Sequence, residues 1–526
     1  MRLDTGAPLV IFAVRDEASL KGMAPELWKG NGPKPAGFFQ HGWERQYAVV
    51  RIDQDIPGRY QVVYHEYVHS LLHANFQWFP TWLDEGLAEF YGNTRFEQTK
   101  MYVGAPSERV NRLLGNAFIP ISELISENPW RKFRNNDRQI DLYYSESWAL
   151  VHYLVFGPGM EKGAKLSRFY NQLQKGEEQK KAFEETFGPF KTMEDGLLQY
   201  ANKFLLPSYV MENPPQIKEK EFPSHLLSAA ETEAELGTYR LWSHDRQEAR
   251  EAIDQALKDD PALALAHESL GFLDFMEGKD VDAKSEFGKA YEADRERYLS
   301  LFYRAMLEGR PQSGAPADQI KFRSVMYEVL KANPRYAPAY VELTLANVRQ
   351  GDLLNALVMA RKAEGLEPAR AGYHLLAGRI LLELGRDEEA TKLAAFVAER
   401  WRGPDHDEAL ELWNLIPAEK RKTEVSLAEE VPEGTKAASG KLLSVTCGEK
   451  GEGTTVVIEN ESGKETFRSK GGHMVGYSDT LWYGRDHFSV CHHLEGLRAI
   501  VRYKESQDKD SAGDWVELEL REDLPT

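Results

Sequence analysis

A small residue returning at an interval of 34 constrains this chain more than any other feature. Ala249 and Ala283 stand 34 positions apart, and so do Ala356 and Ala390. Satellites keep the same register. Ala256, Ala290 and Ala363 follow the register alanines by seven residues, and Pro261 and Pro368 follow by twelve. Leu270-Gly271 and Ala377-Gly378 precede Ala283 and Ala390 by twelve to thirteen. A period of this length, with small residues where two helices must cross, calls for helical hairpins stacked as a solenoid. The interval between Ala283 and Ala356 leaves room for one longer, irregular hairpin. An unrelated helical bundle would give the satellites no reason to repeat.

This pattern resembles the tetratricopeptide repeat (TPR) family over roughly residues 228 to 402, and the helical region is expected to span 228–416. The resemblance implies an all-α solenoid whose groove can take a protein partner. Residues 417–438 are rich in Glu, Lys, Pro and Ser and read as a linker. Beyond it, Leu442–Val445, Thr454–Ile458, Leu497–Tyr503 and Val516–Leu520 read as short strands between Gly and Asp turns, so 439–526 is expected to be a small β-domain.

The region before the repeats has a different order. Residues 9–14 read as a strand and Gly37–Ile52 as a hairpin or edge strand. Helical patterns follow at about 60–74, 82–92, 107–115, 143–156, 164–174 and 194–204. Strands first and helices afterwards give an α+β domain over 1–205, with 206–227 as a connector.

Composition excludes several classes. A net charge of −18 argues against nucleic acid, which rewards clustered Lys and Arg. No stretch has the 18 continuous apolar residues of a membrane span. Leu9–Val14 is too short for the apolar core of a leader, and a strand so close to the first residue is expected of a processed or trimmed form. The two cysteines, Cys447 and Cys491, both fall in the β-domain. They could form a disulfide in an oxidising compartment or pack as two small apolar side chains.

The chemistry concentrates in His65-Glu66-Tyr67-Val68-His69. On a helix, residues i and i+4 share one face, so both imidazoles can reach one zinc while the Glu between them reaches a metal-bound water. A second amphipathic stretch, Trp82-Leu83-Asp84-Glu85-Gly86-Leu87-Ala88-Glu89-Phe90, enters through Pro80. Catalytic zinc takes three protein ligands and keeps one open position, and Glu85 is placed to be the third. Gly86 and Ala88 leave room for the two helices to approach. Glu89, one turn on, can accept the free N–H of a ligating imidazole. His73, a turn beyond His69, reads as a partly exposed helix residue, and His152 as a helix-surface residue near the core.

The pair HEYVH and WLDEGLAEF resembles the gluzincin metallopeptidases, and most closely the bacterial peptidase MA-like domains that often precede TPR arrays. The likeness covers roughly residues 9 to 205. It implies a zincin-like fold, one catalytic Zn2+ on His65, His69 and Glu85, Glu66 as general base, and a peptide or protein substrate. Tyr143-Tyr144-Ser145-Glu146-Ser147-Trp148-Ala149-Leu150 is similar to the Tyr-x-x-Ser-x-Ala-Leu-Val pattern of those domains, which implies Tyr144 facing the zinc as an oxyanion donor. An extended substrate is expected to add to the edge strand near Gly37–Val50. The spacer before Glu85 is shorter than in the zinc aminopeptidases and no substrate-amine motif is present, so exopeptidase activity is not implied. Export from the cytoplasm is implied by resemblance alone. A reading from another class is a TPR interaction scaffold whose peptidase-like domain is inert or structural.

Overall fold

A computed structural model describes residues 8–28, 37–41, 45–53, 60–97, 99–106, 118–126, 137–175, 177–203, 205–215, 218, 220, 224–242, 246–309, 316–401, 403–421, 434–447, 453–460, 463–469, 474–477, 497–506, 508 and 511–521. The chain divides into two compact units, Met1–Leu226 and Leu227–Thr526.

In the first unit, β1 (Leu9–Val14) leads into α1 (Glu17–Met23), whose first turn is capped by the Asp16 carboxylate accepting the Ser19 N–H at 2.9 Å. β2 (Gly37–His41) and β3 (Gln46–Arg51) form an antiparallel hairpin, the first of the two forms expected there, and β1 runs parallel to β3 on its other side, giving the order β1-β3-β2. The central strand β3 is buried on both faces, so it reads Tyr-Ala-Val-Val without alternation. Ala48 and Val50 pack on Val63 of α2 (Gln61–Asn75). Among the described residues the edge on the hairpin side is β2, which narrows the expected substrate edge to Gly37–His41.

Pro80 opens α3 (Thr81–Gly92), its carbonyl taking the N–H groups of Leu83 and Asp84. β4 (Arg95–Glu97) and β5 (Lys100–Val103) then form a second hairpin. A short α4 (Ile121–Leu124) and the twenty-residue α5 (Asp137–Phe156) follow, then α6 (Ala164–Gln174), α7 (Gln179–Phe187) and α8 (Phe190–Ala201). The core of this unit joins Trp82 and Phe90 of α3 to Trp148 and Leu154 of α5, with Phe169 and Phe183 behind them. β6 (Tyr209–Glu212) pairs with β5, so the expected connector contributes a strand to the unit. The expected helix at 107–115 lies outside the described residues.

The second unit begins with helical hairpins: α9 (Ala229–Trp242) with α10 (Arg246–Asp259), α11 (Ala264–Met276) with α12 (Asp280–Ala293), α13 (Tyr298–Glu308) with α14 (Pro316–Ala332), α15 (Ala337–Arg349) with α16 (Leu353–Leu366), and α17 (Ala371–Glu383) with α18 (Asp387–Arg400). α19 (Pro404–Leu415) closes the array. This is a TPR-like solenoid. Ala249, Ala283, Ala356 and Ala390 are all fully buried, as are Ala256, Ala290 and Ala363. A Cβ on Gly271 would lie 2.7 Å from the Phe287 ring, which is why the first helix of that hairpin needs glycine at the crossing. The irregular hairpin is α13–α14. Its second helix has 17 residues against 14 in the others, and it fills its crossing with Phe322, Met326 and Val329, so the alanine register vanishes there.

β7 (Lys436–Cys447), β8 (Thr454–Asn460), β9 (Gly463–Ser469), β10 (Met474–Tyr477), β11 (Arg498–Lys504) and β12 (Gly513–Arg521) form the β-domain. The ladder runs β12-β11-β7-β8-β9 and closes through β9–β12, with β10 added outside on β12. Closure removes the edges of this five-stranded barrel. Phe467, Trp515 and Leu518 fill it, and Trp515 donates its indole N–H to the Thr454 carbonyl at 3.0 Å. Most of the 417–438 linker lies outside the described residues, as do Cys491 and the Cys447 side chain. No described helix is long and apolar enough to cross a membrane.

The α3–α5 contact has a direct test. A Cβ on Gly86 would lie 2.6 Å from the Ser147 carbonyl oxygen and 2.5 Å from Val151. Gly86→Ala is expected to cost about 1–3 kcal/mol of stability through overpacking, read by denaturant unfolding. Wild-type stability would contradict so close a crossing.

Candidate metal centre

Two helices build the site. His65 and His69 project from α2 toward α3, and Glu85 projects back from α3. The two His Nε2 atoms stand 3.1 Å apart, and each is 3.4 Å from the same oxygen of Glu85. A tetrahedral zinc with bonds of about 2.0–2.1 Å separates its donors by about 3.3 Å. The three donor atoms therefore already form one face of a zinc tetrahedron. The Glu85 oxygen is buried, its nearest partners the two imidazole nitrogens at 3.4 Å, and a cation would satisfy it more closely.

The outer imidazole nitrogens both face carboxylates. His69 Nδ1 lies 3.1 Å from Asp84, and a neutral ring that donates there turns its Nε2 lone pair to the triangle, as ligation requires. His65 Nδ1 faces the Glu89 carboxylate at 3.6 Å, and Glu89 is buried, with Gln61 donating to its other oxygen at 3.4 Å. Glu89 thus faces His65 at a distance longer than a hydrogen bond. Asp84 was not expected in this role.

The local field favours a cation. Burial pulls the His69 imidazolium down, but Asp84 and Glu85 more than offset this and raise its pKa to about 10. Burial alone would raise Glu85, yet His65 and His69 hold its carboxyl below the usual range. Asp84 follows the same pattern: burial opposes ionisation, and its bonds to His69 and His73 outweigh it. Two imidazoles with both Nε2 atoms inward and one carboxylate form a donor set that fits Zn2+.

The other expected residues fall around this centre. Glu66 lies on α2 between the two histidines in sequence and is half-buried. The Tyr144 ring stands edge-on to His65, centroids 6.5 Å apart, which puts α5 beside the site. Tyr143 is buried against Tyr144, and burial pushes its phenol up. Gly86 serves a different contact from the one expected. Glu85 and Gly86 point about 100° apart round α3, so while Glu85 faces α2, Gly86 meets α5. The close approach to α2 is made by Gly92, where a Cβ would lie 3.2 Å from the His65 backbone. His152 is fully buried, correcting its reading as a surface residue. Its Nε2–H points at the carbonyls of Gly104 (3.0 Å) and Pro207 (3.1 Å), and Tyr200 donates to Nδ1 at 2.9 Å. Burial pushes it down to about 4 against those carbonyls.

No family model matches the chain, and no curated protein matches it. Solved structures are similar over about a third of it. MamA is 19% identical, covering 34% of this chain and 95% of that chain at a TM-score of 0.26. PilF of Pseudomonas aeruginosa is 18% identical over 37% of this chain and 95% of that one, TM-score 0.30. YrrB, a TPR protein with an unusual peptide-binding site, is 18% identical over 35% and 90%, TM-score 0.28.

Two outcomes follow. Elemental analysis is expected to find one zinc per chain in the wild type and a large loss in His69→Ala; equal zinc in both would refute this donor set. The second concerns Glu146, buried on α5 with both oxygens 2.8 and 3.0 Å from the Ile119 N–H. Burial raises its carboxyl to about 8, the Ile119 N–H opposing. Between about 4.5 and 8 the folded chain then holds a proton there that the unfolded chain has lost, so stability falls as pH rises. His152 acts in the opposite sense, with stability rising as pH climbs from about 4 to 6.5. Above 6.5 the Glu146 effect stands without that compensation. Glu146→Gln is expected to gain on the wild type in denaturant unfolding as pH goes from 6.5 to 8.

Proposed function

We propose that the first unit is a zinc-dependent peptidase and that the TPR-like array recruits its protein substrate or a partner. The observation that carries the enzymatic reading is the triangle of His65, His69 and Glu85, with edges of 3.1, 3.4 and 3.4 Å. Three donors leave one tetrahedral position for water or substrate, the arrangement of catalytic rather than structural zinc.

Bound there, zinc would supply a water acidic enough to attack at neutral pH and an electrophile for the scissile carbonyl. Glu66 takes the proton of the attacking water and hands it to the leaving amine. Tyr144, beside His65, donates its hydroxyl to the oxyanion. The free edge of β2 offers backbone hydrogen bonds to an extended peptide. Asp84 orients the His69 imidazole in the tautomer that ligation requires, and Glu89 faces the outer nitrogen of His65. Work outside the cytoplasm is part of this proposal and rests on the family resemblance.

A second reading is favoured by the array itself. Five hairpins among the described residues stack into an extended surface of the kind that binds protein segments. In that reading the chain is an interaction scaffold and the zinc site is catalytically silent.

Digestion of a peptide library separates the two. Glu66→Gln is expected to keep its zinc and to lose two or more decades in kcat, about 3 kcal/mol of transition-state stabilisation. Tyr144→Phe is expected to lose less, mainly in kcat. A zinc-loaded wild type that cleaves nothing and a Glu66→Gln variant indistinguishable from it would favour the scaffold.

A further inference from the structure

His65, His69 and His73 lie at i, i+4 and i+8 on one face of α2, and the third is left over once the triangle is formed. Its side chain is 57% exposed, where a histidine ordinarily bonds to water. Instead its Nε2 lies 2.8 Å from one oxygen of Asp84, while the other oxygen accepts from His69 Nδ1 at 3.1 Å. We propose that His73 is a positioning residue of the metal centre, acting through Asp84, which it holds in the plane that orients His69. The proposal rests on the zinc reading above and adds a member to that site.

The reasoning is geometric. The terminal torsion of an aspartate is broad, so a single donor on one oxygen leaves its carboxylate plane loose. Asp84 has a donor on each oxygen, and the two donors come from successive turns of the same helix. The carboxylate thereby spans α2 from His69 to His73 and is fixed against it. Asp84 also immediately precedes Glu85, so fixing its side chain in the first turn of α3 steadies both the third donor and the orienting partner of the second. His73 is no fourth ligand, since its Nε2 is directed at Asp84 Oδ2. Neutral His73 suffices, because either a neutral Nε2–H or an imidazolium donates that bond.

Zinc affinity of the full chain, measured by competition with a chelating chromophore, tests this, together with the visible spectrum of the cobalt-loaded protein. His73→Leu is expected to weaken zinc about three- to tenfold and to shift the cobalt bands, since the imidazole of His69 is freed to tilt. His73→Gln, whose amide N–H can reach the same oxygen, is expected to stay within about twofold of wild type with its spectrum restored. Asp84→Asn is expected to weaken zinc about 10- to 100-fold. The double variant should be no weaker than Asp84→Asn alone, because His73 works through Asp84. Wild-type affinity and spectrum in His73→Leu would overturn the proposal, as would losses that add in the double variant. A second zinc, lost alone in His73→Leu, would overturn it too and make His73 a ligand. A wild type that takes no zinc would refute the zinc reading and this proposal with it, an outcome distinct from any in which wild type binds and His73→Leu matches it.

Discussion

Everything at the candidate metal centre depends on how closely α3 can lie between its neighbours. Gly92 brings α3 onto α2 at the His65 backbone, and Gly86 brings it onto α5 at the Ser147 carbonyl. A side chain at position 86 would meet main chain at 2.6 Å, and one at position 92 would crowd the His65 backbone at 3.2 Å. With α3 pinned on both sides, Glu85 has one place to put its carboxylate, and it meets the imidazoles of α2 there. The same pinning sets α5 beside the site and places the Tyr144 ring against His65. Precision of this kind comes from backbone contact between rigid helices, which holds donors better than loops can.

Electrostatics explains why so polar a cluster is tolerated inside the fold. The side chains of His65, His69 and Glu85 are 14, 13 and 12% exposed, so their donor atoms are largely removed from water. Burial of an ionised group is costly unless it is paired. Here every charge has a named partner: Glu85 with both imidazoles, Asp84 with His69 and His73, Glu89 beside His65. A dication at the centre would complete the same balance. The arrangement is one network, and loss of a member affects its neighbours beyond the pair removed.

In the second unit the barrel is tied to the end of the array by charge. Arg502 is buried on β11 and reaches Asp407 of α19 at 3.0 Å and Glu519 of β12 at 3.3 Å, while Arg498 pairs with Glu411. Burial and Asp407 raise the Glu519 carboxyl to about 8. The last helix of a solenoid has an exposed flank that needs a polar cover, and here the cover includes these pairs from the barrel. The β-domain therefore has a structural role that its strand pattern did not reveal.

Sequence alone determined the periodic and local features. The 34-residue register, the helices bearing His65, His69 and Glu85, the strands β1 and β3, and the burial of the register alanines all follow from patterns within one helix or strand. Features carried by few apolar residues were not legible. β9 turns one large apolar side chain, Phe467, into the barrel among charged residues, and β6 lies exposed in what reads as a connector. α14 lost its register by exchanging alanines for larger side chains. Only the tertiary structure decided which residues support the ligands. Asp84 and His73 are eleven positions apart, on different helices, and carry no joint spacing signal; their meeting depends on the angle at which α2 and α3 cross. A donor's helix face is set by 3.6-residue geometry and can be read from the chain, whereas a partner across a helix interface is set by packing, which no single segment encodes.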